Sequence, residues 1–177
     1  MAPAPPPVDP VEFRRLMARW PTGVSVVTTR WQGVDAGLTV SALVSVSLAP
    51  PSLLVSLTLD ADTTPLLERS RIFGVSALAA DQRAVSERFA QTIPPPEKFR
   101  DLPIHRGPGD VPLLDGGLAA WVCRVAAWVP QYDHVLVIGE VVYQEGGREG
   151  EPLVYFRSGY AEPDGPDRLR LAARRPV

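Results

Sequence analysis

Two runs of alternating apolar and hydroxyl side chains, at residues 44–48 and 53–59, constrain the fold of this chain more than any other feature. Alternation with a period of two is the pattern of a β-strand, whose successive side chains point to opposite faces. Pro50 and Pro51 interrupt the pattern between the runs. The sequence therefore predicts two strands, each with one apolar face and one face of small hydroxyls.

The hydroxyl faces have two interpretations. Small hydroxyls without a charge among them suit a flat, polyfunctional ligand that lies against the sheet. They are also typical of a half-exposed antiparallel sheet, since alternation reports burial and not chemistry. The pattern alone leaves both open.

A helix-start signal follows the second run. Thr64 is a good N-cap and Pro65 a good first helical residue. A helix that opens after a strand presents unpaired backbone N–H groups and the positive end of its dipole, a ready phosphate site. The hydroxyls of Thr63 and Thr64 would add donors. This arrangement fits flavin mononucleotide (FMN), with its ring on the strands and its phosphate at the helix.

The remaining pattern predicts a mainly β chain with a few helices. Residues 1–8 are expected to be a disordered proline-rich arm, 9–161 a single domain and 162–177 a polar tail. Residues 92–117, rich in proline and glycine, are predicted to form one long loop. Strands are predicted at 23–29, 38–48 with a bend near Ala42, 53–59, 73–78, 118–129, 135–143 and 153–157, and helices from Asp9 toward Trp20, at 65–70 and at 81–90.

Composition narrows the class of partner. The net charge of −2 lacks the basic field that nucleic acid requires. No run approaches the roughly 20 apolar residues of a membrane span, and the start of the chain has no apolar run, so the cytoplasm is the expected location. Lys98 is the single lysine among 18 basic residues, which we attribute to compositional bias.

Cysteine and histidine give no sign of a metal site. Cys123 is the single cysteine, so it cannot form an internal disulfide, and it is expected to be a buried structural thiol. His105 and His134 are far apart and lack helical metal-binding spacing. His105 lies in the predicted long loop, where the sequence indicates no partner, and is expected to be solvent-exposed. The chain has no dinucleotide-binding, phosphate-loop or serine-hydrolase motif.

Motifs that read in order from Phe13 to Tyr160 resemble those of the short-chain flavin reductase family. They are Trp20-Pro21-Thr22-Gly23-Val24, Val26-Val27-Thr28-Thr29, Gly37-Leu38-Thr39-Val40-Ser41-Ala42, Ser45-Val46-Ser47, Pro50-Pro51, Arg71-Ile72-Phe73-Gly74-Val75, Glu87-Arg88-Phe89-Ala90, Asp133-His134, Val137-Ile138-Gly139-Glu140-Val141 and Leu153-Val154-Tyr155-Phe156. The resemblance implies an FMN-binding split β-barrel, a Greek-key-like antiparallel barrel that usually forms a homodimer. It also implies reduction of free flavin by a nicotinamide cofactor.

The candidate site residues come from both lines of argument. Backbone N–H groups of two strand segments are expected to bind the edge of the flavin ring, and the helix start its phosphate. The resemblance adds an Arg-Phe pair near the flavin, a catalytic histidine at the nicotinamide site and an aromatic residue on the nicotinamide face. Tyr132 stands where the family usually has glycine before Asp133. The candidates are Thr39, Val40, Ser41, Ala42, Ser56, Leu57 and Thr58 for the ring, Thr63 and Thr64 for the phosphate, then Arg88, Phe89, His134 and Tyr160.

The expected function is that of an NAD(P)H:flavin oxidoreductase. Hydride passes between stacked rings, so no acid or nucleophile is required of the protein. The resemblance implies that reduced FMN or FAD then diffuses to a partner monooxygenase. Two alternatives stay open: a flavin-binding electron carrier without nicotinamide chemistry, and a related barrel with another cofactor or none. The sequence does not distinguish NADH from NADPH, FMN from FAD, or a flavin substrate from a tightly bound prosthetic group.

Overall fold

The computed structural model describes residues 6–161, which form a mainly β domain. Residues 1–5 of the predicted arm and all of the predicted tail lie outside the described residues, and Pro6–Val8 have no regular structure. The helices are α1 (Pro10–Met17), α2 (Thr63–Ser70) and α3 (Arg83–Phe89), and the strands are β1 (Thr22–Gly23), β2 (Ser25–Trp31), β3 (Val34–Val40), β4 (Leu43–Leu48), β5 (Pro51–Thr58), β6 (Ile72–Ala77), β7 (Ile104–Arg106), β8 (Pro112–Leu114), β9 (Ala119–Gln131), β10 (His134–Gly146), β11 (Val154–Phe156) and β12 (Gly159–Tyr160).

The link between β3 and β4 requires the main sheet to close on itself. Its strand order is β3-β2-β6-β9-β10-β5-β4, with antiparallel neighbours throughout, so β3 and β4 are its two edges. Only Ser41 and Ala42 separate these edges in the chain. Val40 and Leu43 can be at most about 11 Å apart, whereas seven strands laid flat would separate the edges by about 29 Å. The sheet therefore curls into a barrel, as predicted.

Alternate side chains of the strands fill the barrel. Val55 and Leu57 of β5 are fully buried and meet Val137 of β10 in the core, with Leu53 packed against them, which confirms the predicted apolar face at these positions. Leu59 lies beyond the end of β5 and is 45% exposed. Cys123 lies in the same core and is fully buried, as expected. Burial raises the pKa of its thiol to about 12, so it is protonated and unreactive at neutral pH.

The apolar side chains of β4 face outward. Val44, Val46 and Leu48, which were predicted to share one face, are 53, 48 and 87% exposed. Pairing with β5 is irregular between Ser45 and Ser47. Since β4 is an edge strand, it leaves an apolar surface and unpaired backbone groups beside each other.

The helix α1 is equally open to solvent. Asp9 caps it as predicted, accepting a hydrogen bond from the backbone N–H of Val11 at 3.0 Å. The helix ends at Met17, so Trp20 lies beyond it. None of its residues is buried, and Phe13 and Trp20 are 58 and 68% exposed. The apolar side chains of α1 and of the residue Trp20 after it are therefore uncovered.

The prediction of one long loop over residues 92–117 is wrong. The segment contains the two-stranded sheet of β7 and β8, and Val111 and Leu113 are fully buried. Backbone groups of β8 bind the main sheet: Thr28 Oγ1 donates to the carbonyl of Pro112 at 2.5 Å, and Leu114 N–H donates to Ser76 Oγ at 3.1 Å. Three-residue strands are too short for alternation to reveal.

His105 has two partners that the sequence did not indicate, and its side chain is 39% exposed. Its Nδ1 lies 2.6 Å from Asp115 Oδ1, and its Nε2 lies 2.8 Å from Glu145 Oε1. The hydrogen bond with Asp115, together with the charge of Glu145, raises the pKa of His105. The imidazole thus links β7 to the distant end of β10.

This link should make stability depend on pH. A pKa that is raised in the folded state gives a stabilisation that is complete below the unfolded value of about 6.5. The stabilisation is lost as pH rises through the raised folded value. We expect His105→Gln to lose more stability relative to the wild type at pH 6 than at pH 9, measured by urea unfolding. A loss of equal size at both pH values would contradict the ion-pair role, and Asp115→Asn should diminish the pH dependence.

Candidate functional site

A cleft of about 350 Å³ opens where the ends of β3 and β5 meet the start of α2. Its volume is within the range of about 300–1,000 Å³ that is typical of small-molecule sites. Three candidates, Thr39, Thr58 and Phe89, line it together. Barrel closure is what brings these residues close, because they come from three separate segments of the chain.

Hydrogen bonds hold the two threonines in place. Thr39 Oγ1 donates to the carbonyl of Ser86 in α3 at 2.6 Å, and Thr58 Oγ1 donates to Asp60 Oδ1 at 2.9 Å. Pairing of β4 with β5 begins at Leu43 and Val55, so the last residues of β5 have no strand on that side. The N–H of Ser56 still donates to the carbonyl of Ala42 at 3.2 Å. By alternation, the N–H of Thr58 points to the same side.

The segment predicted to bind the ring divides between two surfaces. Thr39 faces the cleft, whereas Ser41 and Ala42 are exposed and line a separate, largely apolar groove beside Trp20. The side chain of Val40 belongs to the barrel core, as does that of Leu57. Val40 and Leu57 therefore offer a ligand only their backbone groups.

The assignment of Thr64 as the N-cap of α2 is wrong. The helix begins at Thr63 with Asp62 in the cap position, and no side chain caps it. Thr64 is buried, and its hydroxyl donates to the carbonyl of Thr58 at 2.7 Å. Its own N–H donates to the carbonyl of Ala61 at 2.9 Å. Thr64 thus ties the helix to β5 and has no donor left for a ligand.

Thr63 differs from its neighbour. It is buried as a residue, but its hydroxyl has no hydrogen-bond partner among residues 6–161. The turn that precedes it, residues 60–62, forms part of the cleft wall. Of the two predicted threonines, Thr63 is the one whose hydroxyl makes no hydrogen bond within residues 6–161, although Thr63 is 2% exposed and is not among the residues that line the cleft.

Lys98 is a candidate functional residue that no motif indicated. It lines the cleft, is 8% exposed, and donates from Nζ to the carbonyls of Phe89 at 3.1 Å and Gly37 at 3.2 Å. Burial lowers its pKa, and the charge of Asp62 partly opposes this effect. The sequence signal that could have indicated this residue is its rarity. Lys98 is the single lysine in a chain whose other basic residues are arginine.

Of the predicted pair Arg88 and Phe89, only Phe89 lines the cleft. Phe89 is 1% exposed and packs edge-on against Phe99, with ring centroids 5.0 Å apart. Its ring also lies against Gly37, where an added Cβ would come within 2.7 Å of it. Arg88 instead donates to the carbonyl of Arg100 at 2.8 Å and does not line the cleft.

His134 lies next to the cleft through its strand register. It is the first residue of β10 and pairs directly with Thr58, so the two side chains share one face. Its Nδ1 is 2.8 Å from Asp133 Oδ1, and this hydrogen bond lowers the pKa of Asp133. Tyr132 keeps the turn in a left-handed conformation, with φ of 56°, that glycine would adopt more readily.

Tyr160 lies outside the cleft but is linked to it. Its hydroxyl is 2.8 Å from Ser86 Oγ, and its ring packs against Tyr155 and under the guanidinium of Arg83. The carbonyl of Ser86 in turn accepts the hydrogen bond from Thr39. The described residues contain no cluster of metal-binding side chains and no helix long and apolar enough to cross a membrane.

Comparison with known proteins now identifies the family. Residues 17–164 match the flavin reductase like domain. The chain belongs to the flavin reductase family. The predicted membership is therefore confirmed, and so is the split β-barrel implied by the resemblance.

The chain is similar to known proteins over most of its length. A flavin reductase (NADH) of Kitasatospora aureofaciens is 43% identical over 89% of this chain and 84% of its own length. The reductase component of 4-hydroxyphenylacetate 3-monooxygenase from Thermus thermophilus is 38% identical, over 84% of this chain and 93% of its own. The solved NADH:FAD oxidoreductase SgcE6 of Streptomyces globisporus, in complex with NAD and FAD fragments, has a TM-score of 0.82 and 29% identity, with coverage of 92 and 99%.

Proposed function

We propose that this member of the flavin reductase family transfers hydride from a nicotinamide cofactor to FMN or FAD. Reduced flavin then serves a partner monooxygenase in the cytoplasm, without a role for nucleic acid or membrane. The observation that carries the proposal is the cleft itself, in which Thr39, Thr58 and Phe89 meet a helix start and a buried cation. Relatives named as NADH-dependent reductases and as reductase components support it.

The chain's own residues supply binding and orientation. Bound flavin provides the hydride acceptor. Backbone groups of the segment Thr39–Ala42 and of the end of β5 would hold the edge of its ring, and the hydroxyl of Thr63 would be a donor for its phosphate. His134, which pairs with Thr58, would help to position the nicotinamide. Phe89 lines the cleft and packs edge-on against Phe99, so it would offer a fixed apolar surface to a bound ring.

Turnover separates this function from that of a flavin-binding electron carrier. The purified protein should oxidise NADH or NADPH continuously when FMN, FAD or riboflavin is added in excess, and should not do so without flavin. Crossing both nicotinamides with the three flavins in a steady-state assay also determines the preferred pair. A protein that binds flavin but oxidises no more than one equivalent of nicotinamide would be a carrier.

His134→Ala should affect the nicotinamide step and leave flavin binding unchanged. Loss of one hydrogen bond corresponds to about a 2- to 10-fold rise in the Michaelis constant for nicotinamide, or to a similar fall in turnover. Flavin affinity, measured by fluorescence titration, should stay constant. His105→Ala, which removes the other imidazole away from the cleft, is the matched control. Unchanged nicotinamide kinetics between pH 6 and 8 would leave His134 as a surface residue.

A homodimer is part of the proposal, because two apolar surfaces and part of the site are uncovered. The outward face of β4 and the exposed α1 flank a groove of about 570 Å³. Ser41 and Ala42, expected at the flavin ring, line that groove with Met17 and Trp20. A second copy seated there would cover the edge strand and enclose the ring.

A charge on the outer face of β4 should abolish the dimer. We expect Val46→Asp to give the monomer mass by light scattering at micromolar concentration, where the wild type gives the dimer mass. The control is Val142→Asp, which places the same charge at a 39% exposed valine of β10. A wild-type monomer with full activity would exclude the dimer, and a dimeric Val46→Asp would exclude this surface.

A further inference from the structure

The cleft contains a buried cation, Lys98, that forms no direct ion pair within the described part of the chain, although the charge of Asp62 acts on it from a distance. The ammonium of Lys98 donates to the carbonyls of Gly37 and Phe89, which leaves one of its three N–H groups. The two carbonyls accept hydrogen bonds but carry no net charge. Among residues 6–161, no carboxylate lies within ion-pair distance of Lys98. Its positive charge is therefore available to a ligand in the cleft.

An unpaired buried charge is costly to the empty protein. Removing an ammonium from water disfavours its charged form, which is why burial lowers the pKa of Lys98. Backbone hydrogen bonds offset only part of this cost. An anionic group of the ligand would offset the rest, since the attraction between opposite charges is stronger away from bulk water.

The helix start does not provide enough donors for a phosphate by itself. Thr64 uses both its hydroxyl and its N–H within the protein, and Pro65 has no N–H to offer. Asp60 and Asp62, on the same cleft wall, would repel an anion. The hydroxyl of Thr63 remains, but one neutral donor does not balance a doubly charged group. A cation is needed at this end of the cleft.

We propose that Lys98 is the counter-charge for the phosphate of bound flavin, and that it determines the preference of the cleft for phosphorylated flavins over riboflavin. The inference rests on the proposed flavin function. A lysine can retain both carbonyl contacts while its third N–H donates to a phosphate oxygen. Such a charge-assisted hydrogen bond is stronger than one between neutral groups.

Paired titrations of FMN and riboflavin test the inference without any turnover. Quenching of flavin fluorescence should show that Lys98→Met weakens FMN binding by about 10- to 100-fold, with a change below about threefold for riboflavin. Arg124→Met is the matched control, because it removes one positive charge from an exposed position of β9. It should change neither affinity. Lys98→Arg, which keeps the charge, should retain more FMN affinity than Lys98→Met.

The two ligands also distinguish a binding role from a structural one. Equal losses of FMN and riboflavin would mean that Lys98 supports the fold or the ring, and unchanged FMN affinity would mean that it contacts no phosphate. Either result overturns the inference. If Lys98→Met does not fold, Lys98→Gln keeps amide donors for the carbonyls without the charge, and the same selective loss is expected.

A third measurement separates this inference from the proposed function. Pyrophosphate should raise the thermal midpoint of the wild type and of Arg124→Met, but not that of Lys98→Gln. A wild type that binds neither FMN nor riboflavin would reject the proposed function. If pyrophosphate also raised the thermal midpoint equally in the wild type, Arg124→Met and Lys98→Gln, the anion site at Lys98 would be rejected as well. A wild type that binds FMN and riboflavin equally well would overturn the inference and leave the proposed function intact.

Discussion

Closure of the sheet at Ser41 and Ala42 is the constraint on which the rest of this structure depends. The two edge strands of a seven-stranded sheet are consecutive in the chain, so the short link forces the edges together. The end of β3 and the end of β5 consequently lie on either side of one cleft. The same closure leaves the last residues of β5 without a neighbouring strand on the β4 side, although they pair with β10 on the other side. Free backbone groups next to an opening are what a planar, hydrogen-bonding ligand requires.

A second set of contacts fixes the walls of the cleft. Thr64 binds the carbonyl of Thr58, and Thr39 binds the carbonyl of Ser86, so each wall is tied to a helix. Lys98 joins two more segments through the carbonyls of Gly37 and Phe89. These bonds are made by buried or half-buried groups, for which a lost partner is expensive. The site is therefore organised before a ligand arrives, which lowers the entropy cost of binding.

The outer surface formed by β4 and α1, unlike the walls of the cleft, is not covered by packed side chains or helices within residues 6–161. The apolar side chains of β4 and α1 face solvent, and unpaired backbone groups of an edge strand lie beside them. Proteins usually protect such edges with charge, proline or a covering element. Here the exposed surface adjoins Ser41 and Ala42, so the cover that a second copy would provide also affects the flavin site. Assembly and ligand binding are thus connected through a link of two residues.

The sequence by itself determined the long strands and the family. Period-two alternation located the long strands, as in β5, because burial of Val55 and Leu57 against one core requires that pattern. Ordered motifs then identified the flavin reductases and most of the candidate residues. Alternation could not tell which face of β4 is buried, since both faces of an edge strand are compatible with it.

Tertiary structure alone decided the contacts between distant segments. The roles of Thr64, His105 and Lys98 depend on partners in other segments of the chain, and local pattern carries no information about them. The short strands β7 and β8 were not predicted because three residues show no period, although Leu113 of β8 and the preceding Val111 are fully buried. Local propensity therefore specified the strands of this protein, whereas the closure of the barrel specified which of their ends form a site.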